Sequence, residues 1–217
     1  MFNYIVLLGP SASGKSSIAD YLCDCYGFRR VKAYTTRPPR DDTDEEYNFI
    51  DEAYADAMKN EIVGDRTYDT VYGPWRYFFS DFDFAEDVNS VVIMPPDVYR
   101  EIKGIIPNVF AVYLDIDEGE RMRRLLIRGD DYGEILRRIE SDKRDFADIH
   151  EHYKDICDLR SRGLFIKEGA LQVRNPAQEA DRILTYLRGF NRGEIDYDEN
   201  PIAVSYTHLT LPTTERV

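Results

Sequence analysis

Tyr4-Ile5-Val6-Leu7-Leu8 is an unbroken apolar run, too short for a helix, and Gly9-Pro10 ends it. Such a run reads as a strand buried on both faces. A helix is predicted from about Lys15 to Cys25, then a strand over Phe28–Tyr34. Val91–Met94, stopped by Pro95-Pro96, and Val109–Asp115 read as two more strands. Residues 117–127 read as a helix with Met122, Leu125 and Leu126 on one face, broken by "RGDDYG" at 128–133. A long charged helix is predicted from about Glu134 to Ile156, and Leu164–Lys167 is the last strand. Asn175 caps a final helix through about Leu187, with Pro176 at its first position. Residues 35 to about 82 differ: polar, rich in tyrosine, without a long apolar run, and with one short helix near Asp51–Lys59. They read as an inserted subdomain rather than core.

Strands alternating with helices predict an α/β fold, a mostly parallel sheet of about five strands flanked by helices. One domain is expected over residues 1–190, its core from 1–32 and 85–190 and a mobile insertion at about 33–84. No internal repeat is visible. Residues 191–217 read as a loose acidic tail. Within it "SYTHLTLPTT" (205–214) fits none of the earlier periodicity and looks like translated sequencing-adapter read-through, so 204–217 are expected to be non-native.

Composition narrows the partners. With 43% hydrophobic and 32% charged residues in 217, the chain is an ordinary globular sequence. No apolar run approaches the roughly 20 residues that span a bilayer. The start lacks the basic segment of a signal peptide, and Cys23, Cys25 and Cys157 show no metal spacing. A cytoplasmic protein with reduced thiols and no membrane partner is expected. A net charge of −13 argues against a nucleic-acid binder. A polyanionic ligand must therefore find cations gathered locally. Two clusters offer them: Arg29, Arg30, Lys32, Arg37 and Arg40, and Arg121, Arg123, Arg124, Arg128, Arg137 and Arg138. Part of the second group reads equally well as a solvated helix face.

"GPSASGKSS" (9–17) has the phosphate-loop pattern Gly9-x-x-x-x-Gly14-Lys15-Ser16, with a strand before it and a helix after it. Glycines let backbone N–H groups close around phosphate oxygens at a helix N-terminus. Gly9, Ser11, Ser13, Gly14, Lys15, Ser16 and Ser17 are the expected ATP-binding residues. Lys15 reaches the β and γ phosphates, and the Ser16 hydroxyl is placed to ligate Mg²⁺.

Further motifs follow in order: "AYTTRPPR" (33–40), "EYNFI" (46–50), "VYGP" (71–74) and "RGDDYGEILRRI" (128–139). Together with the phosphate loop they resemble the guanylate kinase family across residues 4 to 190. The resemblance implies phosphoryl transfer from MgATP to a nucleoside monophosphate, with GMP or dGMP the leading acceptor in purine nucleotide metabolism. It makes Arg37, Arg40, Tyr47 and Tyr72 the acceptor-phosphate ligands, and residues 33–84 the subdomain that carries them. The resemblance also implies a lid near 128–138, where Arg128 and Arg138, with Arg137 the adjacent alternative, match arginines that close over the donor phosphates. Lys15, Arg37, Arg128 and Arg138 are thereby the implied catalytic residues. The partners are small nucleotides, and a monomer or weak homodimer is expected.

The resemblance weakens where the family reads guanine. Ala33 stands where a serine is usual, Pro74 where a serine or threonine is usual, and a glutamate is replaced near Gly64 or Asp65. The strand ending "IMPPD" lacks the family's aspartates, leaving Asp97 as a magnesium-linked residue acting through water or as an ordinary helix cap. Another or modified (deoxy)nucleoside monophosphate, ribose 1,5-bisphosphate, or a non-catalytic binding module are the alternatives.

Overall fold

Every residue of Tyr4–Leu8 (β1) is buried, because strands flank it on both sides and helices cover both faces. The computed structural model describes residues 4–70, 72–84, 88–106, 108–149, 162–168 and 175–192. After β1 come α1 (Lys15–Tyr26), β2 (Arg29–Val31), β3 (Tyr34–Thr35), β4 (Asn48–Phe49) and α2 (Glu52–Ala57). Then β5 (Ile62–Thr70) and β6 (Gly73–Ser80) form a hairpin, followed by β7 (Ser90–Ile93) and α3 (Pro96–Ile102). β8 (Val109–Ile116), α4 (Glu118–Arg128), α5 (Tyr132–Asp145), β9 (Arg162–Glu168) and α6 (Pro176–Arg192) complete the described chain.

The core sheet has five strands in the order β2-β7-β1-β8-β9, and every pairing is parallel. The strand period of two divides β1 between two hydrophobic layers. Tyr4, Val6 and Leu8 pack with Val98, Tyr99 and Ile102 of α3. Ile5 and Leu7 pack with Ile18 and Leu22 of α1 and Ile183 and Leu184 of α6. An unbroken apolar run is what two covered faces demand. The helix after β1 begins beyond that strand's carboxyl end, so the phosphate loop lies at the carboxyl end of the sheet's central strand, with β7 and β8 on either side.

Residues 34–80 build a second sheet of four strands in the order β4-β3-β6-β5. The strand expected over Phe28–Tyr34 is in fact two: Arg29–Val31 pairs with β7, and Tyr34–Thr35 pairs with β6 in the other sheet. Lys32 and Ala33 are where the chain crosses between sheets. The β5–β6 hairpin was not foreseen. Its residues are mostly half-buried, so Asp65, Arg66, Thr67 and Asp69 interrupt any apolar run. Gly73, with φ 116°, adopts the left-handed conformation that the turn requires.

The charged helix expected to reach Ile156 ends instead at Asp145. Phe146 leaves the helix and packs on Tyr113, the ring centroids 5.7 Å apart, which ties the chain to the core there. α6 starts as expected: Gln178 N–H donates to Asn175 Oδ1 (2.9 Å), and Asn175 N–H donates back to Gln178 Oε1 (3.2 Å). It continues past Leu187 to Arg192. Cys157, His150, His152, His208 and residues 193–217 lie outside the described residues. Among the described residues no helix is long and apolar enough to cross a membrane.

Candidate active site

The loop between β1 and α1 is shaped by backbone rather than side chains. Gly9 stands at φ 153°, and a Cβ there would meet Ser13 Oγ at 2.8 Å and the Leu114 carbonyl oxygen at 3.0 Å. Ala12 holds φ 59°, rare for a residue with a side chain. Gly14 precedes α1 with φ 99° and carries no capping side chain, so the helix N-terminus faces open cleft.

Lys15 folds back over this loop. Its Nζ donates to the carbonyls of Gly9 (2.7 Å) and Pro10 (2.8 Å) and reaches Ser13 Oγ at 3.4 Å. Desolvation lowers its pKa to about 8, against the opposing attraction of Asp142 and Glu46. Asp142, from α5, accepts from Ser11 N–H (2.9 Å), Ser11 Oγ (3.2 Å) and Arg121 Nη1 (2.8 Å). Arg121 of α4 also reaches the Ser11 carbonyl at 3.4 Å. This pair is a buried brace for the loop. The sequence placed Arg121 among candidate phosphate cations and missed Asp142, because one aspartate in a charged helix carries no local signal.

The residues expected to hold an acceptor line the same cleft, of about 1150 Å³. Arg37, 5% exposed, donates from Nη2 to Asp44 (2.9 Å) and from Nη1 to the Pro38 carbonyl (3.0 Å). Its guanidinium lies 5.1 Å from the Phe49 ring centroid and 5.4 Å from that of Tyr47. Its Nε is buried and has no hydrogen-bond partner. Burial opposes ionisation of Asp44, but hydrogen bonds from Arg40 N–H and the Arg37 guanidinium hold its pKa below the usual range. Arg40 is half-exposed, with Nη1 3.5 Å from Glu46 Oε2. The other oxygen, Glu46 Oε1, accepts from Ser16 Oγ at 3.1 Å, joining acceptor loop to phosphate loop.

Tyr47 is held edge-on to Tyr77 and Phe49, and burial raises its pKa. Tyr72 is 77% exposed at the hairpin tip, stacked on Trp75 at 5.9 Å. Arg128 is paired with Asp130, and Arg137 and Arg138 share Glu134 at 2.7 and 2.9 Å. Hydrogen bonding from Arg137, then Arg138, pulls the Glu134 pKa to about 2, with burial opposing. All the residues expected to bind ATP or the acceptor, together with these arginines, line this one cleft.

The positions expected to read a base supply little. Ala33 packs against the core, and Asp65 is engaged by Arg76 Nε (2.9 Å) and Nη2 (2.6 Å). The wall is aromatic: Tyr68 lies edge-on to Tyr77 with centroids 5.5 Å apart. Asp97 is not the cap of α3. Pro95 caps α3, and Asp97 in its first turn accepts from Arg66 Nε at 2.5 Å.

No family model matches this chain, and no curated protein matches it. Solved structures do. The guanylate kinase from Anaplasma phagocytophilum superposes with a TM-score of 0.58 at 16% identity, over 87% of this chain and 86% of that one. The fold is that of a guanylate kinase-like P-loop kinase. A gluconokinase from Sinorhizobium meliloti 1021 gives 0.49 at 14% identity, covering 89% of this chain and 98% of its own. The YorR protein of Bacillus subtilis, in complex with phosphorylated GDP, gives 0.47 at 16% identity, covering 87% and 98%. At such identities the likeness is one of fold, and activity must be argued from the site itself.

Proposed function

We propose that this protein transfers the γ-phosphoryl group of MgATP to a nucleoside monophosphate, with GMP or dGMP the leading acceptor. One observation carries the reading: a phosphate loop and the buried Arg37, whose Nε has no hydrogen-bond partner, line a single cleft. A buried donor without a partner is costly, and an acceptor phosphate oxygen would satisfy it.

In this reading the N–H groups of residues 9–17 and the α1 N-terminus hold the donor phosphates. Lys15 leaves its loop carbonyls to bridge the β and γ groups. Arg37 and Arg40 hold the acceptor phosphate in line, and Arg128 and Arg138 exchange their carboxylate partners for donor oxygens as the lid closes. The acceptor is already an anion, since a phosphate monoester loses its second proton near pH 6, so no general base is needed. Closure would exclude water and suppress ATP hydrolysis.

The donor set at Ser16 fits Mg²⁺, which takes hard oxygen ligands and is commonly held by one or two carboxylates plus substrate phosphates. Ser16 Oγ and Glu46 Oε1 are such oxygens. Among the described residues no group of three or more His, Cys, Asp or Glu forms a protein-only cage. When bound, the ion neutralises charge between the phosphate groups.

An ADP-release assay across ribo- and deoxyribonucleoside monophosphates and ribose 1,5-bisphosphate tests the proposal. Turnover with a monophosphate is expected. Turnover with the bisphosphate alone would instead establish a sugar-phosphate kinase, a second reading favoured by Ala33 and by the Asp65–Arg76 pair, which leave few groups to read a base. No turnover with any acceptor would leave the binding-module alternative.

A further inference from the structure

The bond between Ser16 and Glu46 joins two parts of the cleft that the proposed function treats separately. Ser16 opens α1 on the donor side, whereas Glu46 belongs to the loop between β3 and β4 that also carries Arg37 and Arg40. Oε1 of Glu46 lies 3.1 Å from Ser16 Oγ. Neighbouring ligands of an octahedral Mg²⁺, at about 2.1 Å from the ion, stand about 3.0 Å apart. The two oxygens are therefore already spaced as adjacent ligands of one small divalent ion.

Other carboxylates in and near the cleft have partners of their own: Asp41 accepts from Thr43, Asp131 from the Glu134 amide and Asp145 from Ser141, and Glu179 pairs with Arg182. Asp142 accepts from Ser11 and Arg121, and Asp44 accepts from Arg37 and the Arg40 amide. Asp130 and Glu134 hold lid arginines, and Asp97 is held by Arg66. Glu46 has a lighter hold: its Oε1 takes the Ser16 hydroxyl, and its Oε2 stands at 3.5 Å from Arg40 Nη1. Core strand β7 ends in Ile93, followed by Met94 and Pro95, so no carboxylate comes from that strand end.

We propose that Glu46 supplies the carboxylate ligand of the divalent ion from the acceptor loop, beside the Ser16 hydroxyl. The assignment rests on the phosphotransfer reading above. The ion then does more than neutralise charge. Held between Ser16 and Glu46, it draws the acceptor loop onto the donor nucleotide. Binding of the metal–nucleotide complex and of the acceptor becomes coupled, and by linkage each strengthens the other equally.

Titration of Mn²⁺ into the full-length protein with saturating ADP, followed by the EPR signal of free Mn²⁺, tests this without turnover. Glu46→Gln is expected to weaken Mn²⁺ binding by on the order of 10- to 100-fold, while metal-free ADP affinity stays unchanged. Glu45→Gln, the same charge change at an exposed neighbour, should match the wild type. Glu46→Cys, whose thiolate is soft, should shift preference from Mn²⁺ toward Cd²⁺ in the presence of ADP, whereas Glu45→Cys, with the same added thiol beside the native cysteines, should not. Equal Mn²⁺ affinity in Glu46→Gln and Glu45→Gln, with ADP bound normally, would overturn the metal assignment alone. Failure of the wild type to bind ADP at all would overturn the phosphotransfer reading and this assignment with it.

Discussion

At the phosphate-loop end of the cleft, position is set by main chain and buried charge: Gly9 and Ala12 hold unusual backbone angles, and Arg121 and Asp142 clamp Ser11 from beneath. At the acceptor end it is set by rings, with Tyr47, Tyr77 and Tyr68 edge to edge and Tyr72 on Trp75 in a sheet that is mostly half-buried. Phosphates have one shape and one charge pattern, so a rigid cradle serves every nucleotide. Aromatic walls offer area and stacking instead of fixed hydrogen bonds, and they tolerate variation in what lies between them. Under the proposed function, the contrast puts phosphate handling at one end and the choice of acceptor at the other.

The largest break in that contrast is expected from Lys15→Ala, which should lower turnover by at least about 10³-fold with every acceptor, because under the proposed function it removes the charge that bridges the β and γ phosphates. An acceptor-dependent loss in the ADP-release assay would show that the phosphate end is not generic. Next comes Asp142→Ala, which leaves Arg121 buried without its partner and should cost about 3–5 kcal/mol in urea unfolding. A loss below about 1 kcal/mol would mean that the brace is dispensable.

Arg37→Ala should raise the acceptor KM by about 10- to 100-fold and leave ATP binding nearly unchanged, as expected for a charged hydrogen bond made to one substrate only. An unchanged acceptor KM refutes the pocket assignment.

The pH dependence of Lys15 should be smaller and of opposite sign for binding and stability. Its folded pKa of about 8 lies below the ordinary 10.5, so between those values the unfolded chain binds more protons and stability rises with pH. Over the same window free Lys15 loses its charge, so ATP affinity should fall. Urea midpoints and ATP titrations at pH 7.5 and 9.5, each compared with Lys15→Met, isolate both effects; parallel changes in the two proteins would remove Lys15 as their source.

The smallest effect belongs to Tyr72→Ala. The exposed stack on Trp75 should contribute about 1 kcal/mol or less to thermal stability, with a few-fold rise in acceptor KM. A stability loss above about 2 kcal/mol would show that the hairpin tip is structural rather than a recognition surface.

Much of the core was legible because each element carries its own signal. The run Tyr4–Leu8 is apolar since both its faces are covered, and the Asn175-Pro176 start of α6 shows in two residues. The acceptor sheet was not legible as strands. Its side chains face the cleft or solvent on one side, and β2 and β3 lie almost end to end in sequence but pair in different sheets. The early end of α5 was hidden for a similar reason, since Phe146 leaves the helix for a ring on a distant strand.

By itself the sequence determined the glycine loop, the parallel core and the arginines and tyrosines that line the cleft. These depend on local spacing, on glycine's backbone freedom and on the apolar periodicity of buried elements. Only the tertiary structure decided which charges are engaged and with whom. It turned Arg121 into a brace for Asp142, tied Asp97 to Arg66 and Asp65 to Arg76, and brought Glu46 to Ser16. Partners such as Ser11 and Asp142, 131 positions apart, meet through the packing of whole elements, and no local pattern encodes such a meeting.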